Sequence, residues 1–279
     1  MHLYPRRFRE AVRRIFKRGS TTYYYSSIFF PQAVKDDIFT LYAFVRVADD
    51  FVDAIPQDVI GFESFCRDAE AAFGGRPCGN EIIDAFVAMA VRRSIPYEYV
   101  AAFFDSMRAD TVKHTYATFA ELEAYIYGSA EVIGLMMAKI LELAEESYQF
   151  ARLQGSAMQL INFIRDVKED TGLGRTYLPG EDMDRFGVTT LDPRTSDERS
   201  RFAELIRFEI ARYRDIQKRA EAGYAYIPAS YLVPVKTAAD MYNWTAGEID
   251  RNPFLVLERK VKPRPLRVIS RIAVNYFGL

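Results

Sequence analysis

Two acidic clusters, Asp49-Asp50-Phe51-Val52-Asp53 and Asp166-Val167-Lys168-Glu169-Asp170, constrain this chain more than any other feature. Each sets carboxylates four residues apart inside a stretch that reads as buried helix. Residues i and i+4 of an α-helix lie one above the other, so Asp49/Asp53 and Asp166/Asp170 each form a ledge of two like charges. In water such a pair destabilises a helix by roughly 0.2–0.5 kcal/mol, and among apolar neighbours by much more. The neighbours here are Leu41, Phe44, Val45, Val47, Phe51 and Val52 in one stretch, and Leu160, Ile161, Phe163, Ile164 and Val167 in the other. A helix apolar on most sides is buried, so its polar stripe has to face a cavity, a metal or another polar stripe. A divalent ion resolves the conflict, because Mg²⁺ is held by one or two carboxylates at a time with water and phosphate oxygens completing its shell.

Helical spacing extends both stripes. Tyr42, Arg46, Asp49 and Asp53 follow at steps of four, three and four, and Gln159, Asn162, Asp166 and Asp170 at steps of three, four and four. Arg165 lies next to the second stripe and Glu169 beside its ledge. A single D-x-x-x-D is ordinary on a solvated helix face or in an intrahelical Arg–Asp pair. Two of them, each preceded by Arg and each embedded in apolar helix, favour metal and phosphate chemistry.

The rest of the chain reads as all-α, with apolar residues recurring every three or four positions and almost no alternating strand pattern. Helices are expected at 32–53, 80–93, 97–112, 119–142, 148–170, 197–222, 229–249 and 265–276, with Pro56 and Gly74-Gly75 closing the first two acidic-side segments. Gly172, Gly174, Pro179, Gly180, Gly187 and Pro193 predict a loop or short-helix excursion over 171–193, placed to act as a lid after the second cluster. With 279 residues, 49% of them hydrophobic, and no repeat or linker, a single domain over 1–279 is expected. The balance of 37 basic against 38 acidic residues gives no support for a nucleic-acid partner, and none is expected. His2 and His114 are the only histidines, which argues against triad or zinc chemistry. Cys66 and Cys78 lack metal-ligand spacing and are too few for a disulfide scaffold, so a reducing cytoplasm is expected.

The stretches Tyr42 to Asp53 and Gln159 to Asp170, followed by Gly174-Arg175-Thr176-Tyr177-Leu178-Pro179, resemble the squalene/phytoene synthase family. So do Gly19-Ser20-Thr21-Thr22-Tyr23 and the Tyr- and Gly-containing run Tyr125 to Gly134. Within the chain Gly19 and Thr22 stand where some members carry more polar residues, and Glu131 where Gly is common. The resemblance implies a single-domain isoprenoid-synthase bundle around a deep apolar cavity, with the two motifs facing each other across its mouth. It implies Asp49, Asp53, Asp166 and Asp170 as Mg²⁺ ligands, Mn²⁺ being an alternative, with Asp50 and Glu169 in support. Arg46 and Arg165 are implied as diphosphate holders, and Ser20, Tyr23, Tyr42, Gln159, Asn162, Tyr242 and Arg259 as substrate contacts. The implied reaction joins two prenyl diphosphates head to head through a cyclopropyl diphosphate. Two C20 chains would give phytoene, and two C15 chains squalene or dehydrosqualene, with NADPH needed only for squalene. A silent assembly protein on the same scaffold is the alternative from another class, and the intact ledges argue against it. Monomer and homodimer both stay open.

Basic residues crowd both ends: Arg6, Arg7, Arg9, Arg13, Arg14, Lys17 and Arg18, then Lys260, Lys262, Arg264, Arg267 and Arg271. No apolar run reaches the length of a membrane span. Cytoplasmic placement is expected, with a peripheral seat at the inner face of the membrane as a hypothesis, since the implied substrates are lipids.

Overall fold

The computed structural model describes residues 4–277, so His2 lies outside the described residues. The chain begins with α1 (Arg6–Gly19) and α2 (Thr21–Ser27), whose N-cap Ser20 accepts a hydrogen bond from the Tyr23 amide, and continues into the long α3 (Gln32–Asp53). Next come α4 (Val59–Phe73), capped by Asp58, α5 (Glu81–Arg92), capped by Asn80, and α6 (Tyr97–Val112). Before α2, α4 and α5 a polar side chain takes up an amide that the first turn cannot pair, whereas α1, α3 and α6 start after a proline. The second half comprises α7 (Phe119–Ile126), α8 (Val132–Ile140), α9 (Tyr148–Arg165), α10 (Val167–Gly172), α11 (Gly180–Arg185), α12 (Ser196–Glu221), α13 (Ala229–Arg251), α14 (Leu255–Glu258) and α15 (Pro265–Phe277). Among the described residues no helix is long and apolar enough to cross a membrane.

Two of the expected helices are interrupted. The helix expected at 119–142 holds a π-helical turn, Tyr127–Glu131, between α7 and α8. There the Ser106 hydroxyl donates to the Tyr125 carbonyl at 3.0 Å, and Gly128 lies so near α6 that a Cβ would sit 2.2 Å from the Ala102 carbonyl oxygen. The extra residue lets the helix meet α6 this closely, a deformation that periodicity does not report. The helix expected at 148–170 breaks at Asp166, whose backbone (φ −100°, ψ 12°) leaves the helical region.

One core packs α1, α3, α4, α5, α6 and α8 together, through stacked rings such as Phe44 on Phe86 with centroids 3.7 Å apart. A second gathers α7, α9, α12 and α13 around Tyr213 and Phe202, both fully buried. Between them is an apolar cavity of about 400 Å³. Its walls follow two helical stripes: Ile38, Leu41, Tyr42, Val45, Arg46 and Asp49 on α3, and Phe150, Ala151, Gln154, Met158, Gln159 and Asn162 on α9. Both stripes pass from apolar to polar along the chain. From Ser147, just before α9, to Asn162 the helical rise gives a wall about 22 Å long.

Candidate active site

At its polar end the cavity opens into a second, acidic pocket of about 300 Å³, and Tyr23, Tyr42, Arg46, Asp49, Gln159 and Asn162 line both. Asp53, Asp166, Glu169 and Asp170 join the acidic pocket, so the two ledges face one space. The break at Asp166 leaves its ledge intact, because the Asp170 amide still donates to the Asp166 carbonyl at 2.9 Å and Asp166 to Asn162 at 2.8 Å.

Cations hold most of these carboxylates. Arg46 donates to Asp49 at 2.7 Å and also pairs with Asp50. Arg165 grips Asp166 through two bonds of 2.8 and 2.6 Å, and Lys260 reaches Asp166 at 3.1 Å and Glu169 as well. Asp170 has no cation at ion-pair distance among the described residues. Burial, then the charges of Asp166 and Glu169, push its carboxyl up to about 8. Asp49 is pushed up to about 7, first by burial and then by Asp53, against the pull of Arg46. Two carboxyls that resist ionisation in the resting chain are placed to receive positive charge.

The tyrosines and amides also meet here. Tyr42 stacks on Phe16 at 3.8 Å and its hydroxyl lies over Gly19, where a Cβ would be 2.2 Å away. That contact supplies the physical reason for glycine at a position where a polar residue was noted as the alternative. Tyr23 packs against Tyr242 with centroids 5.6 Å apart, both lining the acidic pocket with Ser20. Asn162 Oδ1 is buried without a hydrogen-bond partner at the junction of the two pockets.

Several expectations need correction. Asp50 does not line either pocket: it sits one residue, about 100°, round the helix from the ledge, 58% exposed, on the solvent side of Arg46. Arg259 is exposed and likewise outside both pockets, while Lys260 and Lys262 line the mouth. After α14, Lys260 and Lys262 reach the mouth while Val261 between them is buried in the core, a placement that an ungapped count from Tyr242 could not foresee. The 171–193 excursion is tied down near the site: the Thr176 amide donates to His114 at 2.7 Å, Gly180 to Tyr116 at 2.8 Å, and Tyr177 and Leu178 are buried. This stretch is a strut, not a free lid. Glu131, noted as a departure, accepts from Arg152 and from Ser156, each at 2.6 Å.

Besides Lys260 and Lys262, the site residues missed include Arg175 and Asp110. Arg175, only 5% exposed, donates to Asp53 at 2.9 Å and to the Val52 carbonyl at 2.6 Å. Asp110 on α6 accepts from the Tyr125 and Tyr177 hydroxyls at 2.6 and 2.7 Å, and burial pushes it up to about 6 despite those bonds. Arg175 stood inside the Arg-x-Tyr-Leu-Pro run and could have been singled out. Asp110 has no second carboxylate at i±3 or i±4 to form a ledge, so only folding brings it to the mouth.

An all-α bundle enclosing a deep apolar chamber beneath a rim of facing carboxylates and cations defines an isoprenoid-synthase-type enzyme. The sequence profile of squalene/phytoene synthases matches residues 16–267, and the chain belongs to that family, whose members are prenyltransferases of isoprenoid biosynthesis. It is 30% identical over 269 residues to a phytoene synthase of Arthrospira platensis, covering 90% of this chain and 86% of the relative. A 15-cis-phytoene synthase of Synechocystis is 29% identical over 284 residues, covering 93% and 82%. Among solved structures, a dehydrosqualene synthase in complex with ligand superposes with a TM-score of 0.86 at 23% identity, covering 96% of this chain and 95% of that one. A squalene synthase of Alicyclobacillus acidocaldarius gives 0.76 at 24% identity, covering 88% and 94%.

Proposed function

We propose that the chain joins two C20 prenyl diphosphates head to head to give phytoene, with Mg²⁺ as cofactor. The observation that carries this reading is the continuity of the acidic mouth with the apolar chamber along α3 and α9. A diphosphate held at the mouth sets its apolar prenyl tail beside the chamber, whose walls would take it out of water. The wall of about 22 Å and the phytoene synthases among the relatives support the longer, C20 substrate.

The donor set fits a hard cation. Asp49, Asp53, Asp166 and Asp170, with Glu169, supply only carboxylate oxygens, and burial, then the neighbouring carboxylates, push the Asp49 and Asp170 carboxyls up. Mg²⁺ keeps water and takes phosphate oxygens into its shell, so it would be held by one or two of these carboxylates at a time. When bound, the ion neutralises charge on the departing diphosphate.

The protein's own residues do the rest. Arg46, Arg165, Lys260 and Lys262 aim cationic donors into the mouth, where leaving-group charge develops. Burial holds the Tyr23 and Tyr42 hydroxyls protonated, so both remain donors near neutral pH. One diphosphate departs, the C2–C3 double bond of the second chain supplies electrons to the C1 cation, and loss of a proton closes the cyclopropane. The second diphosphate then leaves, the skeleton rearranges, and a final proton loss gives the central triene. Apolar walls keep water from the cations.

The test is purified protein with Mg²⁺ and C15 or C20 diphosphate, with and without NADPH, the hydrocarbons identified by mass spectrometry. Phytoene from C20 diphosphate without NADPH is expected. A C30 product alone would move the assignment to squalene or dehydrosqualene synthesis, and no hydrocarbon from any combination would refute the enzymatic reading.

A further inference from the structure

The proposed reaction sheds two protons, one as the cyclopropane closes and one as the triene forms, and apolar walls do not accept protons. His114 is exposed and lies outside both pockets, so it is no base for this chemistry. Asp110 stands apart from the two ledges. It is 3% exposed, and each of its carboxylate oxygens accepts from a tyrosine hydroxyl, Oδ2 from Tyr125 at 2.6 Å and Oδ1 from Tyr177 at 2.7 Å.

The three residues run from one compartment to the other. Tyr125 on α7 lines both the chamber and the mouth, whereas Asp110 on α6 and Tyr177 on the strut line the mouth. Because each hydroxyl commits its hydrogen to Asp110, its oxygen keeps lone pairs with which to accept another proton. Packed rings hold the arrangement in place: Tyr177 stacks on Phe163 with centroids 4.3 Å apart, and Tyr125 lies 5.5 Å from Tyr177. The backbone is fixed as well, by the Ser106 hydroxyl on the Tyr125 carbonyl at 3.0 Å and the Gln57 amide on the Asp110 carbonyl at 3.1 Å. Burial raises both phenols above their ordinary range, so neither is a stable resting place for negative charge. Burial also pushes Asp110 up to about 6, although both hydroxyl bonds pull it down. Its carboxylate is thus ionised at neutral pH and close to the acidity at which a general base works best.

We propose that Tyr125, Asp110 and Tyr177 form a proton relay that collects the protons lost in the chamber and discharges them at the mouth. The relay rests on the head-to-head reading above but not on the length of the prenyl chain. In each transfer the C–H bond beside the cationic carbon breaks, and its electron pair forms the new carbon–carbon bond. That proton bonds to Tyr125 Oη while the hydroxyl's own O–H bond breaks and its proton passes to Asp110 Oδ2. Tyr125 ends neutral, and the cation and the carboxylate lose their charges together. The carboxyl proton then leaves through the Tyr177 oxygen to water at the mouth, which restores the carboxylate. Water itself, which would quench the cation, is not needed inside the chamber.

The test follows diphosphate and hydrocarbon together, with the full chain, Mg²⁺ and the prenyl diphosphate that the wild type turns over. Wild type should release two diphosphates for each hydrocarbon. Asp110→Asn keeps the shape and a hydrogen-bonding partner for the hydroxyls but cannot take the proton. It is expected to lower hydrocarbon formation about 10²–10⁴-fold with KM within about threefold of wild type. Diphosphate release should fall far less, the difference appearing as prenyl alcohols from cations that water captures before they lose a proton. Tyr125→Phe should show the same uncoupling. Wild-type hydrocarbon formation by Asp110→Asn overturns the relay. A parallel loss of diphosphate and hydrocarbon in both variants also overturns it, and would assign the cluster to binding or ionisation. If Asp110→Asn loses its helical circular dichroism, Tyr125→Phe decides by the same ratio. A wild type that releases no diphosphate would instead sink the functional reading itself, and the relay with it.

Discussion

Arg175→Met removes a buried guanidinium and leaves its volume nearly filled, so it isolates charge from packing. The side chain makes two bonds, one to the Asp53 carboxylate at 2.9 Å and one to the Val52 carbonyl at 2.6 Å. A hydrogen bond to a charged partner contributes about 1.5–3 kcal/mol, and stranding the partner carboxylate adds to the loss. Two features reduce the total. The Asp53 side chain is 35% exposed, so water screens part of its stranded charge. The Val52 carbonyl keeps a second donor, the Gln57 amide at 2.8 Å. A net destabilisation of about 2–3 kcal/mol remains, which for a chain of this size lowers the thermal midpoint by about 5 °C. Urea unfolding followed by circular dichroism measures it, and the double variant Arg175→Met/Asp53→Asn checks the cause. If the stranded carboxylate is responsible, the double variant recovers about half of the loss or more. A single variant within about 0.5 kcal/mol of wild type, or a double variant whose losses simply add, would refute the electrostatic account.

Asp49→Ala and Asp166→Ala should each abolish turnover while leaving the helical circular dichroism nearly unchanged, whereas unfolding of both would give the ledges a structural role. Gly155→Ala should destabilise by about 1–3 kcal/mol in urea titrations, because a Cβ there lies 2.5 Å from the Ala130 carbonyl oxygen on rigid backbone; a wild-type midpoint would mean that α9 shifts freely. Glu209, 2% exposed beside Arg212 and Asp182, is pushed up to about 7 by burial, against the pull of Arg212. Its folded pKa exceeds the unfolded value near 4.3, so its contribution is full below pH ~4 and is lost as pH rises through about 7. Between pH 5 and 8 the stability of wild type relative to Glu209→Gln should therefore fall by about 3 kcal/mol. Parallel pH profiles would contradict this.

Read alone, the sequence determined what is local. A 3.6-residue period fixes which side chains share a face, so the stripes from Tyr42 to Asp53 and from Gln159 to Asp170 were legible, as were most helix limits. Paired carboxylates on apolar helices are unfavourable without a cation, which was enough to point to metal and phosphate, and the motifs pointed to the family. Only the tertiary structure decided what depends on distant segments. It brought Asp110 and Arg175 to the mouth, sent Asp50 and Arg259 outward and pinned the 171–179 stretch to α6's exit. It also located the chamber beneath the ledges. These outcomes rest on contacts between residues far apart in the chain, on a π-helical turn set by one close approach, and on 100° steps of side-chain direction. No local pattern encodes them, because their energies come from the partner that folding supplies.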